Sequence, residues 1–148
     1  MDKSQFLDEL RLEVGLVPDY AGTIQEFYKG VIQALGKNTI EGFSAGIYIV
    51  TDYVFCLIEQ VGKGLFMERE KFGSGELSKC AIRGETTIVQ YHDTNSIMAP
   101  FYDGHHLIGI INIYIPVHRY DISEEDMIFF HEVSRFIEAQ QKNKYKMD

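Results

Sequence analysis

The sequence predicts an α+β fold, an antiparallel β-sheet with helices packed on it. Segments with the 3.6-residue apolar period sit at the two ends of the chain, and β-rich segments fill its middle. The β-rich segments are joined by short polar reversals that suit hairpins rather than crossover helices. At 148 residues, with 45% hydrophobic and 24% charged residues, the chain has the composition of one ordinary globular domain spanning 1–148.

The first helix is expected over Ser4 to Val14. Phe6, Leu7, Leu10 and Val14 share a stripe, Ser4 suits the cap, and Gly15 the stop. Pro18-Asp19 breaks the chain, and a second helix starts near Tyr20. Its apolar stripe is Tyr20, Ile24, Phe27, Tyr28, Val31, Ile32 and Leu35, closed by Gly36-Lys37-Asn38. From Phe43 the period changes. Two β-rich runs, 43–50 and 53–58, flank Thr51-Asp52 and pair as a hairpin. Residues 62–75 form a Gly-rich charged section that holds the apolar cluster Leu65-Phe66-Met67. Gly73-Ser74-Gly75 opens a short helix from Glu76 to Ile82, which Arg83-Gly84 closes. A strand over 86–90 precedes a loop from Tyr91 to Asn95. Residues 96–102 and 106–115 then flank Asp103-Gly104, a hairpin turn that calls for positive φ. Ser123-Glu124-Glu125-Asp126 reads as a capping box for the last helix, with its carboxylates at the positive end of the helix dipole. Residues 141–148 are expected as a polar, frayed tail.

The net charge of −8 argues against binding to a phosphate backbone, so no nucleic-acid partner is expected. Two cysteines, Cys56 and Cys80, cannot form a disulfide framework. The charged N-terminus is no signal peptide, and the longest apolar run, 107–117, is too short to span a bilayer. The expectation is a cytoplasmic protein with no membrane partner. No metal site is expected. His105 and His106 point to opposite faces of a strand, and His92, His118 and His131 have no partner at ligand spacing. Gly62-Lys63-Gly64 and Gly73-Ser74-Gly75 lack the order of a P-loop, and no catalytic triad can be assembled. Cys56 reads as a small buried hydrophobe. Cys80, near a helix N-terminus, is the thiol that could be redox-sensitive, although packing is the simpler role.

Taken in order, several pieces resemble a GAF domain, the sensor fold related to PAS domains. They are Ser44-Ala45-Gly46-Ile47-Tyr48, Phe72-Gly73-Ser74-Gly75, Ser96-Ile97-Met98-Ala99-Pro100-Phe101, Gly104 with Leu107-Ile108-Gly109-Ile110-Ile111, and the stretch from Tyr120 to Asp126. The resemblance covers roughly 20–140 and makes 1–19 an N-terminal helical extension. It implies terminal helices on one face of the sheet, the short helix and its loop on the other, and a ligand pocket between. Strand alternation puts Ser44, Gly46 and Tyr48 on one face, Ser96 with Met98, and Asn112 with Tyr114. These polar groups on an apolar sheet suit a ligand site. Phe66 and Met67 would form the lid or plug the same cavity. Tyr91 and His92, the latter beside Asp93, border it.

Within that family the chain is most similar in pattern to the free methionine-(R)-sulfoxide reductases, and it departs from them systematically. Their cysteine after the glycine-rich turn matches Glu76-Leu77, and the segment carrying their catalytic cysteine is shortened. Their acidic positions match Ser96, Asn112 and Tyr114, and their tryptophan matches Ser44. The resemblance therefore implies a sensor that carries out no reaction and needs no cofactor. It would bind a small molecule or an anion such as nitrate, with Gly73-Ser74-Gly75 offering backbone N–H groups. Its partner would be a sensor kinase or another regulatory protein, and a homodimer is expected. The alternatives are a ligand-free dimerisation module and a reductase.

Overall fold

The computed structural model describes residues 2–64 and 66–146. Ten elements follow the predicted order with one addition: α1 Lys3–Tyr20, α2 Ile24–Leu35, β1 Ser44–Thr51, β2 Val54–Val61, β3 Arg69–Lys71, α3 Glu76–Arg83, β4 Thr87–Tyr91, β5 Thr94–Asp103, β6 His106–Pro116 and α4 Glu124–Asn143. The strands form one sheet in the order β3-β2-β1-β6-β5-β4, and every pairing is antiparallel. The added strand β3 lies in the charged section. Its only buried residue is Glu70, so it has no apolar alternation to announce it.

The first helix runs through Gly15 and Pro18, contrary to the expected stop. Val17 and Pro18 extend the buried stripe of Leu7, Leu10 and Val14, so packing carries the helix past both breakers. Its cap is Asp2, whose carboxylate accepts from the Gln5 N–H at 3.2 Å, rather than Ser4. The second helix begins four residues later than expected because Thr23 caps it, accepting from the Glu26 N–H at 3.1 Å. Glu26 reaches back to accept from the Gly22 N–H. The first hairpin turns at Asp52-Tyr53, both at positive φ (51° and 62°), one residue beyond the expected reversal. In the second hairpin Gly104 takes the positive φ, 61°.

Alternation divides the sheet's side chains between two cores. Ala45, Ile47, Ile97, Ala99, Phe101, Ile111 and Ile113 pack under α1, α2 and α4. Tyr48, Phe55, Met98 and Ile110 face the other way, against Leu77 and Cys80 of α3 and the half-buried Phe66. Asp126 holds the start of α4 to α1. Its carboxylate accepts from Tyr120 OH at 2.5 Å, Lys3 Nζ at 2.8 Å and the Ser123 N–H at 2.8 Å.

The end of the chain is not a frayed tail over its described part. Gln141 is buried and accepts from Tyr28 OH at 2.7 Å. Tyr145 stacks on Phe27 with ring centroids 5.0 Å apart, and its hydroxyl donates to the Ala21 carbonyl. The Lys144 ammonium donates to the Pro18 carbonyl. The last two residues of the expected tail, Met147 and Asp148, lie outside the described residues, as does Leu65 of the expected lid.

Candidate functional site

The expected face forms as a continuous band across three strands. Register places Tyr114 of β6 between Ser44 and Ser96, Asn112 between Gly46 and Met98, and Ile110 opposite Tyr48. The space above the middle of this band is filled by the chain itself. Tyr48 is buried, and its hydroxyl donates to the Met67 carbonyl at 2.8 Å. The Phe66 ring lies on Tyr114, with centroids 4.9 Å apart. Gly46 makes room for that ring, since a Cβ there would stand 3.0 Å from Phe66 Cδ1 and 3.1 Å from Leu57 Cδ1. Ser44 Oγ accepts from the Gly64 N–H at 2.8 Å, pinning the same loop to β1. Two strand side chains thus hold the loop across the sheet on either side of a slot that Phe66 occupies.

Of the expected ligand groups, Ser96, Met98 and Asn112 are buried in this filled region. The Asn112 amide donates to Ser96 Oγ at 2.9 Å and to the Ile97 carbonyl at 3.2 Å, so its donors are used internally. The Met67 side chain is 63% exposed and forms no lid; only its carbonyl takes part.

The open volume lies at the end of the sheet. A groove of about 830 Å³ runs between the Gly62-Lys63-Gly64 loop and the turn Tyr91-His92-Asp93-Thr94. Its floor is Ser44, Tyr114, Phe43 and Pro116, and Glu41 stands at its mouth. Ser44, Tyr91, His92 and Tyr114 were expected at the ligand and meet here, while Tyr48, Phe66, Met67, Ser96, Met98 and Asn112 do not line it. His92 is held at φ 54°, which turns the chain tightly between β4 and β5. Burial pushes the Tyr114 phenol above its usual range. Lys63, Glu41, Phe43 and Pro116 were missed. They lie at or beside the ends of strands that are far apart in the sequence, so no local pattern brings them together.

The glycine-rich entry to α3 is no open anion cradle. The Glu70 carboxylate sits there, accepting from the Ser78 N–H and from Ser78 Oγ, both at 3.1 Å. Gly75 permits this approach, for a Cβ would fall 2.5 Å from Glu70 Oε1. A residue from β3 thus supplies the anion that the helix end favours.

The two thiols are separated by the sheet. Cys80 is buried on the cover side, and burial pushes its pKa up to about 11. Cys56 follows Phe55, which faces the cover, so Cys56 points to the opposite face. Among the described residues no group of three or more His, Cys, Asp or Glu is arranged to hold a metal ion, and no helix is long and apolar enough to cross a membrane.

No family model matches the chain, and no curated protein matches it. Solved structures do. The GAF domain of a phosphoenolpyruvate-protein phosphotransferase from Coxiella burnetii has a TM-score of 0.75 at 18% identity, over 96% of this chain and 95% of that one. The chain has the GAF fold. The corresponding GAF domain from Acinetobacter gives a TM-score of 0.73 at 14% identity over 100% of both chains. The free methionine-R-sulfoxide reductase of Neisseria meningitidis, solved in complex with its substrate, gives 0.80 at 18% identity over 96% of this chain and 92% of that one. The GAF fold therefore occurs both in a domain of a phosphotransferase and in a sulfoxide reductase, and its chemistry has to be read from the site.

Proposed function

We propose that this GAF-fold chain is a regulatory module that senses a small molecule held in the groove between Gly62–Gly64 and Tyr91–Thr94. The observation that carries the reading is the groove itself, about 830 Å³ with an apolar floor and charged lips. Ligand sites have this composition, mostly apolar with a few convergent polar groups. Lys63 offers a cation on one side and Asp93 a carboxylate on the other, Glu41 being paired with Arg119 at 3.4 Å, and Tyr114, Phe43 and Pro116 offer an apolar bed. Those charges suit a small zwitterion such as an amino acid better than nitrate.

The reading involves no thiol chemistry. A reductase cycle needs a thiolate and a second thiol within reach to close a disulfide. Here burial holds the Cys80 proton, and the sheet stands between Cys80 and Cys56. The test is a thermal-shift panel of amino acids, nitrate, nitrite, nucleotides and haem. A ligand at about 100 times its Kd adds roughly 2.7 kcal/mol, which for this length raises Tm by roughly 5–11 °C. The zwitterions should give the shift, and Lys63→Ala should reduce it. No shift with any member would overturn the reading. Reduction of free methionine sulfoxide that disappears in a Cys56→Ser, Cys80→Ser double variant would replace it with the enzyme.

One observation favours a second reading, an interaction module without ligand. Tyr48 and Phe66 already fill the space above the central strands. That reading predicts a flat panel and a protein partner.

A further inference from the structure

The two edges of the sheet are finished differently. β3 is three residues long, and both of its exposed side chains, Arg69 and Lys71, are cations, which discourage another strand from adding there. β4, at the other edge, has no such device. From Thr86 to Tyr91 the chain carries no charge and no proline, and the register of β4 against β5 runs without a bulge. Tyr91 and Thr94 close a two-residue turn as a hydrogen-bonded pair, so Tyr91, Val89 and Thr87 bond inward to β5. Ile88 and Gln90 therefore turn their N–H and C=O groups outward.

Ile88 also ends an apolar row. On the helical face of the sheet, register aligns Val61, Ala45, Ile113, Ile97 and Ile88 across β2, β1, β6, β5 and β4. Ala45, Ile113 and Ile97 are buried, whereas Ile88 is 43% exposed, with no strand beyond it. We propose that a second copy of this chain completes the row, its β4 adding antiparallel to this one about a two-fold axis at Ile88. Ile88 then meets its own copy, Gln90 lies opposite Thr86, and Val89 lies opposite Thr87. The outward backbone groups call for a strand, and the apolar end of the row calls for an apolar residue at its centre. A second β4 supplies both, and in this register no charged residue faces a like charge. Glu85 falls opposite Tyr91, and beyond the strands the Arg83 end of one copy approaches the Asp93 end of the other, charges of opposite sign.

The test is sedimentation of the whole chain across a concentration series, which should show a dimer. Ile88→Lys sets two like charges against each other at the two-fold axis and should raise the dimer Kd about tenfold or more, as should Ile88→Glu. The two variants mixed should pair again, because a contact of position 88 with its own copy then sets a cation against a carboxylate. That recovery also shows that both variants are folded. Leu12→Lys, at an exposed position on α1, should leave the dimer unchanged. Without any substitution, the Ile88 and Gln90 amides should exchange with deuterium more slowly as the protein concentration rises. Those of Thr87 and Val89, already bonded to β5, should not change. A monomer at every concentration, a dimer that yields to Leu12→Lys but not to Ile88→Lys, a mixture that stays monomeric, or Ile88 and Gln90 exchange that ignores concentration would overturn the proposal.

Discussion

At Cys80 sequence position and structure disagree in an instructive way. A thiol near a helix N-terminus suggests an acidic, reactive cysteine. Here the dipole's positive end is already met by Glu70, and the thiol is buried against Leu77 and Met98. Desolvation dominates and raises the pKa from 9.0 to about 11. The folded chain therefore holds this proton more tightly than the unfolded chain does. Its contribution is intact below pH 9 and is lost as the pH rises towards 11. Thermal melts should fall more shallowly across that window for Cys80→Ser than for the wild type. Burial raises Tyr28 and Tyr48 as well, so both proteins lose stability in alkali and the difference in slope is the readout. Equal slopes would show that Cys80 titrates normally.

The elements show where local signals compete with packing. α2 begins at its Thr23 cap rather than at the first apolar residue of its stripe, because the cap satisfies N–H groups that would otherwise be orphaned. The signal was present as Thr23 and Glu26 at capping-box spacing. The β1–β2 turn was legible as a hairpin but not in register. A tyrosine at positive φ is uncommon, and Tyr53 is held there while its ring packs edge-on against Phe72, 5.8 Å between centroids. The first turn of α3 depends on Glu70, eight positions before Ser78. Glu70→Ala should leave the Ser78 N–H and hydroxyl without their acceptor and cost about 1–2 kcal/mol. That should lower Tm by roughly 2–8 °C, read by calorimetry. An unchanged Tm would mean that water caps the helix as well as Glu70 does.

At the scale of the molecule, the chain end closes the helical layer. Tyr145 is buried on Phe27, and with Gln141 and Lys144 it ties the end of α4 to α2 and to the turn after α1. Tyr145→Ala should leave a cavity and cost about 3 kcal/mol, a Tm loss of roughly 6–12 °C by thermal melt. A loss under about 1 kcal/mol, the level of an ordinary surface change, would return the segment to the status of a tail.

The sequence by itself determined the element order, the hairpins and the alternation that puts Ser44, Tyr48, Ser96, Met98, Asn112 and Tyr114 on one face. Those are consequences of periodicity, and periodicity is local. Only the tertiary structure decided which of these residues border open space. Phe66 filled the slot over Gly46, Glu70 took the end of α3, and residues from five separate strand ends built the groove instead. Whether a hollow stays empty depends on contacts between segments far apart in the chain, and no window of sequence contains those distances.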